Sequence, residues 1–554
     1  MGEVTIASGP GPTGDILEDS YDVLVVGGGP VGLGAAIELG RRGVRVLLVE
    51  SGDGVVSYPT AESVDVASME LLERWGIADA VDDSGFAADM PRDISFVTRM
   101  TGYELARFPR PSNAHRGETS RGKSAQGGVW WPKFWFDATL RARAQAEPTV
   151  ELRYGWTCER VVDGGPDAEA TATLTSPDYG RWTVRAQYVL ACDGAGSPIR
   201  RSLGVRQVRE REDVRARWQG AYVRLPSLRS RLHHAPAVQY YLINPRRMIL
   251  GSLDGADLWR ITYPLRADED PDIEQVTATI IEALDSDADH VEVLDARQWS
   301  GDAAIAETFR SGRVLLAGDS AHRMWPSGGH GMNTGLGDVS NLGWKLAGVV
   351  QGWAPAKVLE TYTFERAPHA ERMVRRSWEN YRADLALVPD ANLDNSDAQP
   401  GRSAVAERIM ETRQREWQSL DIQLGTTYAN SPIVVPDPTA GADEYPGEWT
   451  PTARPGRRAP YVAPVEGDIL PDVQTVGFVV LKVAASADAT PLTRALRRRG
   501  VPVDEGISTS AAARASYPHG IALIRPDGVV AWQGDTPPAD VDELVDRVTG
   551  VCLP

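Results

Sequence analysis

The sequence predicts an α/β fold: a Rossmann-like nucleotide-binding domain interrupted by an antiparallel-sheet domain and followed by a further C-terminal domain. Three observations carry this. A strand, glycine turn, helix and second strand begin at Tyr21; a second strand running into a glycine-rich turn and helix begins at Arg313; and short alternating polar and apolar segments lie between them.

Residues 21–50 read YDVLVVGGGPVGLGAAIELGRRGVRVLLVE, a complete βαβ unit. Gly27 permits the tight turn after the first strand, Gly29 lets backbone N–H groups approach a pyrophosphate, and Gly32 lets the helix pack on the sheet. Pro30 and Val31 complete the turn, and the phosphate is expected on the helix N-terminus, where unpaired N–H groups favour negative charge. Glu50 ends the second strand, at the distance where an acid accepts hydrogen bonds from a ribose diol and repels a 2′-phosphate. FAD and NAD both remain open on this unit alone.

Residues 313–346 read RVLLAGDSAHRMWPSGGHGMNTGLGDVSNLGWKL, a strand, the Gly318–Asp319 step, a glycine-rich turn and a helix. This segment resembles the GD motif of flavoprotein monooxygenases of the para-hydroxybenzoate hydroxylase fold, commonly GDAAHxxPPxGGQGMNxG followed by DAxNLxWKL. The resemblance implies FAD as cofactor. It assigns Asp319 to the ribityl chain and places Pro326, Gly329, His330, Gly331, Met332 and Asn333 beside the isoalloxazine. Trp325 stands where the first Pro is usual and His330 where Gln is usual; His330 is a candidate catalytic group, with tolerated loop variation as the alternative.

A third match, CDGAGSPIR at 192–200, resembles the family's DG motif and makes Asp193 and Arg200 site candidates. Gly196 replaces a usual large polar residue, which weakens any carry-over of nicotinamide binding to this turn. The resemblance implies NADPH or NADH as reductant, O2 as co-substrate, and oxygen transfer to an electron-rich aromatic carbon from a flavin C4a-hydroperoxide. The expected substrate is a phenol, with a polyketide-derived one preferred. Oxygen insertion beside a carbonyl or epoxidation, and a reductase or dehydrogenase without oxygen insertion, are the rival readings.

Between the first unit and the DG turn, aligning the segment SYPTAESVDVASMELLERWGIADAV places Glu62 where related phenol hydroxylases carry a base. A catalytic carboxylate of raised pKa and a surface-loop carboxylate both stay open there. Lys133 replaces a usual Gln and is a candidate pyrophosphate or ribityl contact. Trp130, Trp131, Phe134, Trp135 and Phe136 read as core. The pieces WQGAYVRL, VQYYLI, RMILGSL and LWRITYPL predict an antiparallel sheet roofing the substrate site.

Helical patterns follow over 334–385, then a loop or linker over 389–403 and an irregular stretch over 431–468. The end of the chain, including VGFVVLKVA and ALIRPDGVVAWQG, resembles the thioredoxin-like tail of the aromatic-hydroxylase branch, with RPDG predicting a hairpin turn. The expected domains are 20–204 and 301–400 for FAD, 205–300 for the substrate sheet, and 401–554 for the linker and tail. That tail has no CxxC and reads as structural or oligomer-forming.

The 554 residues, with 42% hydrophobic and 24% charged side chains, suit a globular chain of two or three domains. A net charge of −18 argues against a nucleic-acid partner. Residues 1–20 read as a flexible arm without a secretory signal, and no apolar run approaches a membrane span. Three widely spaced cysteines fit neither a disulfide framework nor a metal site, so no metal and a cytoplasmic setting are expected. A homodimer is a candidate assembly.

Overall fold

A computed structural model describes residues 19–58, 60–209, 216–226, 228–284, 290–387, 391–436 and 451–553. Residues 1–18 of the expected arm at 1–20 and residues 437–450 of the expected irregular stretch lie outside the described residues, and Ser20 belongs to the first strand.

The nucleotide-binding sheet places Ser20–Val26 centrally, between Val46–Glu50 and Gly180–Ala191; Val314–Leu316 and Val150–Tyr154 lie beyond them. These neighbours run parallel, with Val23 opposite Val46 and Val26 opposite Ala191. Parallel strands need cover on both faces, which is why the buried half of this strand, Val23–Val26, is wholly apolar. The helix Pro30–Gly40 supplies part of that cover and packs against the long helix His330–Val350.

The second large sheet orders Glu292–Gly301, Ala216–Arg224, Leu258–Pro264, Ile249–Ser252, Gln239–Leu242, Ile94–Val97 and Glu104–Phe108. It is antiparallel except where Gln239–Leu242 runs parallel to Ile94–Val97. Two of its strands come from 94–108, well before the expected sheet region.

The expected loop over 389–403 is corrected in part: a helix begins at Gln399 and runs to Trp417. Pro400 sits in its first turn, where a missing N–H removes no intrahelical bond.

The C-terminal sheet orders Val503–Ile507, Phe478–Lys482, Ile521–Ile524 and Val530–Gly534, parallel at the first pair and antiparallel after it. Thr490–Arg498, Ala511–Ser516 and Val541–Val548 are its helices, giving the thioredoxin-like arrangement. RPDG turns the last hairpin, with Gly528 at φ +79°. Among the described residues, no helix is long and apolar enough to cross a membrane.

Candidate active site

The two glycine turns meet at one cavity of about 760 Å³, within the size range of cofactor sites, roughly 300–1,000 Å³. At the first turn, Gly27 has φ +110°, and a Cβ there would lie 2.2 Å from the Cys192 carbonyl oxygen; one on Gly32 would lie 1.9 Å from the Gly27 oxygen. These two glycines therefore let the turn, the DG strand and the helix approach each other. Around Gly29 a Cβ would meet nothing within 4 Å, so its bareness serves the cavity and not the protein's own packing. Gly29, Pro30, Val31 and Gly32 form the wall here. No side chain caps the helix at Gly29, and its first-turn N–H groups remain for an anion. Glu50 accepts from Gly28 N at 2.6 Å and Gly52 N at 2.8 Å, fixing the end of the second strand beside this turn.

At the second turn, Asp319, Pro326, Gly329, His330, Gly331, Met332 and Asn333 all border the same cavity. Gly329, at φ +67°, starts the helix His330–Val350 with no side-chain cap, so a second positive helix end faces inward. Asn333 serves this start structurally: its Nδ2 donates to Ser63 O and Gly329 O, and its Oδ1 accepts from Asp65 N. The DG and GD turns are stitched together by Ser320 Oγ donating to Ala191 O at 2.7 Å and Arg200 donating to Ser320 O at 3.1 Å.

Two of the expected cofactor contacts have partners within the protein. The Asp193 carboxylate accepts from Ser197 Oγ and Ile199 N and so shapes its own turn, leaving Cys192, Gly194 and Ala195 to line the cavity. Lys133 does reach the wall, but its Nζ is held by Asp137 one helical turn on.

Part of the cavity wall is aromatic. Trp130, Trp218, Trp299, Trp325, Tyr241 and Tyr381 all border the cavity. Trp325 stacks on Tyr381 at 3.9 Å and Trp218 on Trp299 at 5.6 Å. Gly301 makes room for this, since a Cβ there would lie 2.2 Å from the Trp325 ring.

Glu62 is buried, which rules out the surface-loop alternative. Its two oxygens accept from Arg260 Nε at 2.5 Å and Nη2 at 3.0 Å, so the candidate catalytic carboxylate is half of a bidentate ion pair. His330 is also buried; burial first, and Arg376 second, push its imidazole down to about 4, so it is neutral near pH 7 and unsuited to act as an acid there.

Glu416, absent from the sequence-based candidates, lies on the helix Gln399–Trp417 and borders the cavity. Burial pushes its carboxyl up to about 7 against the pull of Arg413, whose Nη2 lies 2.6 Å away; Arg413 also pairs with Asp384 at 2.8 Å. No local motif marks this residue: only the missed helix would have brought it forward.

The donor set fits FAD, with one uncapped helix end for a pyrophosphate, a second for the polar edge of the isoalloxazine, and Asp319 on the wall between. Among the described residues no cluster of His, Cys, Asp and Glu could hold a metal ion.

Residues 20–377 match the family described as FAD binding domain, and residues 452–552 match the aromatic-ring hydroxylase C-terminal family. Aklavinone 12-hydroxylase RdmE of Streptomyces purpurascens is 31% identical over 96% of this chain and 98% of that protein. Among solved structures, the rebeccamycin biosynthetic enzyme RebC with reduced flavin is 33% identical at a TM-score of 0.87, covering 96% of this chain and 99% of that one. A ternary complex of aklavinone-11 hydroxylase with FAD and aklavinone is 27% identical at 0.81, covering 97% and 100%.

Proposed function

The chain belongs to the FAD-dependent aromatic and polyketide hydroxylases, and from that premise we propose that it hydroxylates a planar, fused-ring phenol with NADPH or NADH as reductant. One atom of O2 enters a ring C–H bond as a hydroxyl, the other leaves as water, and NAD(P)H with a proton supplies the two electrons and two hydrogens and becomes NAD(P)+. Bound FAD supplies the hydride acceptance and oxygen activation. The observation that carries the substrate class is the set of stacked aromatics that borders the same cavity as the two helix ends. The same class is consistent with the aklavinone held by a related enzyme.

The chain's own groups divide the remaining work. The N–H groups of Gly29, Val31 and Gly32 would hold the pyrophosphate, Glu50 the ribose, and Asp319 the ribityl chain. The N–H groups at Gly331 and Met332 stabilise negative charge on the flavin ring. The stacked pairs Trp325–Tyr381 and Trp218–Trp299 give the substrate an apolar wall and exclude water. Glu416 accepts the phenolic proton, a task suited to a carboxyl poised near neutrality. The Glu62–Arg260 pair orients a polar substituent, and His330 acts as a neutral hydrogen-bonding group. Neither takes the proton.

Aerobic oxidation of NADPH and NADH by the purified holoenzyme, with simple and fused-ring phenols and with peroxide counted, tests this reading. Faster oxidation with little peroxide only for fused-ring phenols supports it; stimulation by simple phenols alone overturns the substrate class.

A further inference from the structure

In the RPDG turn of the C-terminal domain Arg525 and Pro526 are buried and Asp527 and Gly528 half-buried, where a hairpin tip would ordinarily meet solvent. Arg525, Pro526 and Asp527 each bond to the FAD-binding body. Arg525 donates to both oxygens of Glu365, at 2.6 and 2.9 Å, and all three side chains of the Arg525–Glu365–Lys345 cluster are fully buried. The Pro526 carbonyl accepts from Arg74, which also donates to Ser340. Asp527 accepts from Asn341 at 3.3 Å and from Arg525 Nε at 3.0 Å.

Glu365 leads directly to the flavin turn. It accepts from Asn341 and Lys345, both at 2.6 Å, while the next residue, Arg366, donates to Asp338 Oδ1 at 2.7 Å and to Thr334 O at 2.8 Å. Thr334, Asp338, Asn341 and Lys345 follow helical spacing along one face of His330–Val350, the helix whose N-terminus borders the cavity. The other oxygen of Asp338 accepts from Gly318 N at 3.1 Å and pairs with His322 Nε2 at 2.6 Å, holding the step that carries Asp319. Burial opposes the charge on Glu365, and Arg525 followed by Lys345 more than offsets it, holding the carboxyl well below its usual range.

We propose that Arg525 is a positioning residue for the FAD site: through Glu365, Arg366 and Asp338 it fixes the Gly318–Asp319 turn, making the C-terminal domain part of the cofactor site's rigid frame. The alternative is plain interdomain adhesion, in which the contact stabilises the chain without touching cofactor affinity. The proposal rests on FAD binding and not on the identity of the substrate.

The test is FAD release from the holoenzyme, followed by flavin fluorescence on dilution and by the visible flavin spectrum, with no substrate present. Arg525→Met should remain folded by circular dichroism, release FAD with at least tenfold weaker affinity and shift the flavin band; Arg525→Lys should recover part of both. Tyr517→Phe removes a hydroxyl that bonds Pro460 O inside the C-terminal domain and serves as the control for general destabilisation. It should leave FAD affinity unchanged. Should Arg525→Met fail to fold, Asp527→Asn carries the test, with at least threefold weaker binding expected. Wild-type affinity and spectrum in a folded Arg525→Met or Asp527→Asn chain, or an equal loss in Tyr517→Phe, would overturn the proposal.

Discussion

Trp325 and Tyr381 lie face to face, ring centroids 3.9 Å apart and planes 7° from parallel, at the edge of the cavity where related motifs carry a proline. The pair forms a flat wall, and aromatic stacking adds about 0.5–1.5 kcal/mol beyond area burial. Trp325→Leu should therefore raise KM for a fused-ring phenol several-fold and divert more reductant to peroxide. Steady-state coupling measurements check this, and unchanged coupling would remove Trp325 from the substrate wall.

Glu416 makes a pH prediction. With its carboxyl pushed up to about 7 by burial, kcat/KM for a phenol should rise with pH through that value as the base loses its proton. Glu416→Gln should lower the rate roughly 100-fold and abolish that limb. If Glu62→Gln erases the limb while Glu416→Gln keeps it, the base is Glu62.

His330 links pH to stability. Its folded value of about 4 lies below the ordinary 6.5, so between these values the unfolded chain holds one more proton. The stability contributed by the neutral ring is complete above about 6.5 and is lost as pH falls towards 4. Between pH 7.5 and 5 this amounts to roughly 2 kcal/mol. Urea unfolding at both values should show His330→Gln losing less stability than the wild type; parallel losses would contradict the assignment.

Gly29 and Gly32 separate cofactor binding from folding. A Cβ at residue 29 meets no protein atom within 4 Å, whereas one at residue 32 collides with the Gly27 oxygen at 1.9 Å. Gly29→Ala should fold normally and lose FAD affinity, while Gly32→Ala should lose about 1–3 kcal/mol of stability as well. Thermal melts of the apoproteins and FAD titrations distinguish these outcomes, and a Gly29→Ala chain with full affinity would place the pyrophosphate elsewhere.

The glycine turns were legible in sequence because backbone geometry dictates their spacing: Gly27 and Gly32 are demanded by contacts only a few atoms wide. The aromatic wall was only partly legible. Trp130 stood out in its cluster, but which inward faces meet is set by sheet register and by strands as distant as Ile94–Val97. The partner of Glu62 lies 198 residues away, beyond any local pattern. Glu416 stayed hidden because Pro400 and Gly401 resemble a turn, although a proline in a helix's first turn is harmless. RPDG was readable as a hairpin, but its burial against Glu365 depends on packing between domains.

The central claim is oxygen transfer from O2 into an aromatic ring. Turnover of a fused-ring phenol under 18O2 with NADPH or NADH, followed by product mass and structure, tests it most directly. The account predicts one 18O atom in a new ring hydroxyl for each reductant consumed, with the carbon skeleton intact. Oxygen inserted into the skeleton, or reductant consumed with all 18O recovered as peroxide, would contradict it.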